Sequence, residues 1–132
     1  MLGYHLNADK ITTNYTEQLA EFLVNLKYED IPPEVAERAK FITMQVVGVS
    51  LATSKLPIAK KAAALARACG GKGSEGDDAT VWVDGGKSSV PGAVFCNSTL
   101  ADAMDWEDCS WTGHPSAGIS PVALSPAKAS TM

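Results

Sequence analysis

The sequence predicts a mainly α-helical fold with a single short β-hairpin. Two observations carry this. Apolar residues recur at helical spacing in four separate stretches, and only one stretch, Ala79–Val83, reads as a strand. A chain of 132 residues holds one domain at most. Its organisation reads as an N-terminal arm over residues 1–12, a helical domain over 13–124 and a divergent tail over 125–132.

The first helix is expected from about Asn14 to Leu26. Asn14 and Glu17 have capping-box spacing, and Leu19, Phe22, Leu23 and Leu26 share one face. Lys27–Ile31 connects to a second helix, which Pro32-Pro33 opens, since proline is tolerated in a first turn. There Val35, Ala39, Ile42, Val46 and Val49 repeat, while Phe41, Met44, Val47 and Leu51 fill the other faces. A helix apolar all round is expected to be the most buried element, ending near Ala52–Ser54. Gly48 inside it suggests a close helix contact.

Pro57 begins a third helix. Its narrow face reads Ile58, Ala62, Leu65, Ala66 and Cys69, and Gly70-Gly71 ends it. After a polar loop, Ala79–Val83 turns at Asp84-Gly85-Gly86 and pairs back through Ser88–Val90. Pro91 starts a fourth helix with Ala93, Val94, Asn97, Leu100, Ala101 and Met104 at helical spacing. It delivers Asp102 and Asp105 near its C-terminus, where the helix dipole disfavours anions. A fifth helix follows Gly113-His114-Pro115 and is broken at Pro126.

Composition narrows the function classes. A net charge of −4 argues against a general nucleic-acid binder, which would carry a basic stripe. No apolar run approaches a membrane span, so no membrane partner is expected. Cys69, Cys96 and Cys109 are odd in number and lack C-x-x-C spacing. They read as reduced thiols of a cytoplasmic protein rather than a disulfide framework or a zinc site.

The segment Asn97–Pro115 holds the chemistry. Four of the fifteen acidic residues lie in it, Asp102, Asp105, Glu107 and Asp108, together with Trp106, Cys109, Trp111 and His114. Carboxylates interleaved with indoles suggest a cleft wall, against the plainer reading of a solvated acidic turn over two packed tryptophans. His114 is the one side chain here that ordinarily gives or takes a proton near neutral pH. Gly113 and Pro115 constrain it, and Asp105 is placed to hold its imidazole. The plainer reading of His114 is a cap for the following helix. For Trp106 and Trp111 packing is the favoured role, and for Cys109 packing is favoured over thiol chemistry.

Several segments match a known pattern in order: I-P-P-E-V-A-E-R-A-K before a long apolar helix, A-T-V-W-V-D-G, V-P-G-A-V-F-C-N-S-T-L-A-D-A-M-D-W-E-D, and G-H-P-S-A-G-I-S-P-V-A-L. In these the chain up to about Leu124 resembles the N-terminal part of the MmgE/PrpD family, which includes 2-methylcitrate dehydratase, cis-aconitate decarboxylase and iminodisuccinate epimerase. The resemblance implies an all-α domain, small di- or tricarboxylate substrates and acid/base chemistry next to a carboxylate. A 2-methylcitrate dehydratase-like lyase is the first expectation, with decarboxylase-like and epimerase-like members as alternatives. It also implies no metal, no cofactor and a homodimeric parent enzyme.

Residue by residue, the resemblance places Asp105 and His114 at catalytic positions. It places Cys109 where a site threonine stands, and Asp108 with Glu107 at an acidic pair, so Cys109 and Asp108 are expected to touch substrate. Asp102 stands where many members have histidine, which is a departure. Family enzymes are several times longer, with a second, α/β lid domain. The chain therefore reads as an N-terminal fragment, expected to be inactive alone, whose His114 and Asp105 face one open cleft. Two readings from other classes stand beside this one. Asp105, Glu107, Asp108 and His114 offer oxygen and imidazole ligands for a divalent cation, although not in calcium-loop order. Alternatively, the chain is an inactive helical interaction piece.

Overall fold

A computed structural model describes residues 14–70, 78–110 and 113–125 of the chain. The N-terminal arm, the loop after Gly70, Trp111 and the tail beyond Ser125 lie outside the described residues. The described part comprises helices α1 (Tyr15–Asn25), α2 (Pro33–Thr53), α3 (Pro57–Gly70), α4 (Val90–Asp102) and α5 (Pro115–Leu124). Strands β1 (Asp78–Thr80) and β2 (Lys87–Ser89) form one antiparallel hairpin. The expected class, mainly α with one hairpin, is the class observed. No single described helix is long and apolar enough to cross a membrane.

The chain divides into two compact units, Met1–Ala36 and Glu37–Met132. In the first, Asn14 caps α1 as expected: its side-chain oxygen accepts from the Glu17 N–H at 3.1 Å. A single 3₁₀ turn, Tyr28–Asp30, follows. The apolar face of α1 is not a core face, because Leu19, Phe22 and Leu23 are each more than half exposed.

The second unit contains the core and the candidate site. Its main cluster joins Ala59, Ala62, Ala63 and Ala66 of α3 to Ala79 and Val81 of the hairpin and to Ala93, Cys96 and Leu100 of α4. A smaller cluster joins Val46 of α2, Ala101 of α4 and Ala117 of α5, with Trp82 against it. Helix α4 is therefore the hub, with six buried residues, and it packs against α3, α5 and both strands.

This corrects the expectation that α2 is the most buried element. Only Val46, Val49, Ser50 and Thr53 of α2 are buried, while Val35, Phe41, Met44 and Leu51 stay more than half exposed. Apolar residues on every face do not bury a helix when neighbours cover only one side of it. Gly48 likewise meets no close neighbour.

The buried face of α3 is also rotated from the expected one. Ala59, Ala62, Ala63 and Ala66 are buried, whereas Ile58, Leu65 and Cys69 are exposed. Alanines let α3 approach α4 and the hairpin closely, and the larger side chains are left at the margins.

The hairpin is shorter than expected and starts earlier. Asp78, Ala79 and Thr80 pair with Ser89, Ser88 and Lys87. Beyond Thr80 the chain turns, with the Val81 N–H donating to the Gly86 carbonyl at 2.8 Å. Gly85 takes φ 72° in this turn, a left-handed conformation that glycine adopts without steric cost. Ser89 then caps α4 by accepting from the Gly92 N–H, so Val90 belongs to the helix and not to the strand. Two side chains lock the hairpin in place. Asn97 on α4 accepts from the Trp82 N–H and donates to the Thr80 carbonyl, both at 2.9 Å. Ser88 donates to the Ala66 carbonyl of α3 at 3.1 Å.

Candidate functional site

The site forms where α4 ends and α5 begins. Helix α4 stops at Asp102, so Asp105 lies beyond it in a turn whose backbone N–H donates to the Asp102 carbonyl at 3.1 Å. Asp105 has φ 56°, the only non-glycine residue with positive φ among those described. Aspartate tolerates this conformation better than most residues, yet it still costs energy, and such strain concentrates at functional sites. From there the chain runs back to α5 through Trp106–Gly113. Gln45 of α2 donates to the Trp106 carbonyl at 2.7 Å, and an isolated bridge joins Ser110 to Gly113.

His114 is the N-cap residue of α5, but its ring does not cap the helix. That task falls to Asp108, whose carboxylate accepts from the Ser116 N–H at 3.1 Å. The His114 ring is thus released and meets two carboxylates. Its Nε2 lies 3.0 Å from Asp105 Oδ1, and its Nδ1 lies 3.3 Å from Glu107 Oε1.

The two carboxylates differ in setting. The Asp105 side chain is 80% exposed, while that of Glu107 is 0% exposed. The 3.3 Å approach is a contact and not a hydrogen bond. Both Glu107 oxygens and His114 Nδ1 are buried without a hydrogen-bonding partner among the described residues. One atom from each of Asp105, Glu107 and His114 lies within 4.8 Å of the others.

His114 also lines an open cavity of about 620 Å³. Ser98, Thr99, Asp102 and Ala103 from α4 and its end, Ala117 and Gly118 from the first turns of α5, and the apolar Ile58 and Phe95 complete the wall. The Thr99 hydroxyl donates to the Phe95 carbonyl at 2.8 Å and keeps lone pairs free for a ligand. No lysine or arginine is among the described lining residues.

The structure therefore brings together His114 and Asp105, the two residues expected to be catalytic, and adds Glu107 to them. Asp105 touches His114 but does not itself line the cavity. Asp108 is engaged at the α5 N-terminus, and Cys109 is exposed and outside the lining. Trp106 is 59% exposed, which corrects the expectation that it packs into a wall. Its backbone carbonyl is held, but its ring is left uncovered. Ser98 and Thr99 were not singled out in the sequence. The available signal was helical spacing, since Ser98 lies four residues and Thr99 three residues before Asp102 on α4.

Elsewhere, the Arg67 guanidinium beside Asp84 holds that carboxyl below the usual range, and burial pushes the Cys96 thiol up to about 11.

Residues 17–131 match the model of the MmgE/PrpD N-terminal domain. No curated protein and no solved structure matches the chain. With the ordered motifs and helical architecture of the sequence, a match over nearly the whole length settles the relationship: the chain belongs to the MmgE/PrpD family.

Proposed function

We propose that this domain supplies the proton-transfer half of an active site for small di- or tricarboxylates, in a lyase of the 2-methylcitrate dehydratase type. The observation that carries this reading is His114, set in the cavity wall with carboxylate oxygens 3.0 and 3.3 Å from its two ring nitrogens. An imidazole so placed exchanges a proton with a substrate carbon or oxygen that enters the cavity. In a dehydration, a base takes the proton from the carbon next to a carboxylate. The hydroxyl on the neighbouring carbon then gains a proton and leaves as water. His114 serves one of these two steps, and the other belongs to a second group.

Features of the cavity suit such a ligand. The N-terminal turn of α5 lies in its wall, and the positive end of a helix dipole favours an anion. Ser98 and Thr99 offer hydroxyls to the polar end of a hydroxy acid, while Ile58 and Phe95 face its carbon chain. Decarboxylation and epimerisation begin at the same type of centre, so a decarboxylase-like or epimerase-like reaction is the alternative within this proposal. The proposal includes a homodimeric enzyme and a cytoplasmic setting, and it includes neither a nucleic-acid nor a membrane partner.

Titrating the ¹⁵N-labelled chain with 2-methylcitrate, cis-aconitate and a monocarboxylate control tests the binding step. Selective shifts at Ser98, Thr99 and His114 with the polycarboxylates are expected. Shifts confined to other surfaces would refute it.

A further inference from the structure

We infer that Glu107 is a positioning residue for His114: it holds the proton of the neutral ring on Nδ1, so that Nε2 is the nitrogen that exchanges protons. The inference rests on the reading of His114 as the proton-transfer group, but its test needs no substrate. Three observations support it. First, Glu107 is buried where Asp105 is not. Its side chain is 0% exposed, against 80% for Asp105, and its Oε1 lies 3.3 Å from His114 Nδ1. Second, both Glu107 oxygens and Nδ1 are buried with no hydrogen-bond partner among the described residues. A buried carboxylate left without a donor is costly, and a small turn of the ring converts the contact into an N–H···O bond. Catalytic contacts of this kind are often poorly aligned before a ligand is bound. Third, the residues on either side of Glu107 are tied down. Gln45 of α2 holds the Trp106 carbonyl at 2.7 Å, and Asp108 accepts from the Ser116 N–H of α5 at 3.1 Å. The carboxylate between them is thereby fixed relative to the start of α5, where His114 stands.

The two carboxylates compete for the ring proton, one at each nitrogen, and burial decides between them. A charge interaction at an effective dielectric constant of about 20 is roughly fourfold stronger than in water, at about 80. Glu107 acts through the protein interior, whereas water surrounds Asp105 and screens it. The hydrogen bond made by one ring nitrogen sets the role of the other. Nδ1 is buried while the His114 side chain as a whole is 31% exposed, so Nε2 is the nitrogen that a ligand in the cavity can reach. Asp105 meets Nε2 at 3.0 Å, and its exposed side chain can swing aside for that ligand. With the proton on Nδ1, Nε2 carries a lone pair. It takes a proton from the substrate, and the electron pair of the broken bond stays on the substrate. The ring becomes an imidazolium whose Nδ1–H still faces Glu107. Giving up the Nε2 proton restores the starting tautomer.

The experiment is ¹⁵N NMR of the ring nitrogens in the 132-residue chain, at a pH where their own titration shows the ring to be neutral. His114 is told apart from His5, the chain's other histidine, by the signals lost in His114→Ala. The wild-type ring should carry its proton mainly on Nδ1. Glu107→Gln should lower the ratio of Nδ1–H to Nε2–H at least about tenfold, the effect of losing one hydrogen bond to a charged group. Asp105→Asn should leave the proton on Nδ1, and its exposed side chain is replaceable without disturbing the core. If Glu107→Gln fails to fold, the wild-type and Asp105→Asn spectra decide. A wild-type proton mainly on Nε2, a ratio unmoved in folded Glu107→Gln, or loss of the Nδ1–H form in Asp105→Asn would overturn the inference. Failure of the carboxylate reading is seen separately, as missing ligand shifts at Ser98 and Thr99, and leaves the tautomer result standing.

Discussion

Replacing Asn97 with alanine tests how α4 holds the hairpin. Asn97 is fully buried and makes two hydrogen bonds of 2.9 Å across to the turn, one from the Trp82 N–H and one to the Thr80 carbonyl. Alanine removes both and supplies no substitute. Each backbone group left unsatisfied costs about 1–3 kcal/mol, and a part-buried group falls in the lower half of that range because water reaches it. Alanine regains roughly 0.5 kcal/mol through its helix propensity. A net loss of about 1.5–3.5 kcal/mol is expected on this arithmetic. Urea denaturation followed by circular dichroism measures it, with a lowered midpoint and an unchanged slope. A loss below about 0.5 kcal/mol, the range of surface substitutions, would show that these two bonds do not anchor the hairpin.

Other substitutions and probes test separate parts of the structure. Val46→Asp puts a charge into the contact of α2, α4 and α5 and should cost more than about 3 kcal/mol, read by the same denaturation. At pH 8, iodoacetamide should add to Cys69 and Cys109 quickly. Cys96, fully buried with its thiol pushed up to about 11, should react only in denaturant, giving two adducts and then three by mass spectrometry. Arg67 meets Asp84 at 2.6 Å and lowers its pKa, so the pair's stabilisation is present above the ordinary aspartate range and is lost as pH falls through the depressed value. Both partners are well exposed, so the effect is at most about 1 kcal/mol. Arg67→Ala should lower stability at pH 7, and the loss should shrink as pH falls through the depressed Asp84 value.

Much of the fold was legible because local rules agreed with one another. Asn14 and Glu17 marked the start of α1, Pro33, Pro57 and Pro115 marked helix starts, and a lone β-branched run marked the hairpin. Burial was less legible. The apolar residues of α2 and the larger ones of α3 looked like core, yet the alanines of α3 and the small residues of α4 are what the helices close upon. Periodicity reveals which residues share a face but not which face finds a partner.

At the site, the pairing of Asp105 with His114 was legible from the motif and the resemblance. The burial of Glu107 was not, since a carboxylate in an acidic run ordinarily stays in water. Nor was the division of labour between Asp108 and His114 at the α5 N-terminus, which depends on how the intervening loop folds back.

The central claim is that His114 transfers the proton. Its most direct measurement is kcat for 2-methylcitrate dehydration by an MmgE/PrpD enzyme assembled on this domain, compared with its His114→Ala variant. The account predicts a fall of about 10²-fold or more, the usual contribution of a general acid or base, with the fold retained by circular dichroism. An unchanged kcat in an active, folded His114→Ala enzyme would contradict it.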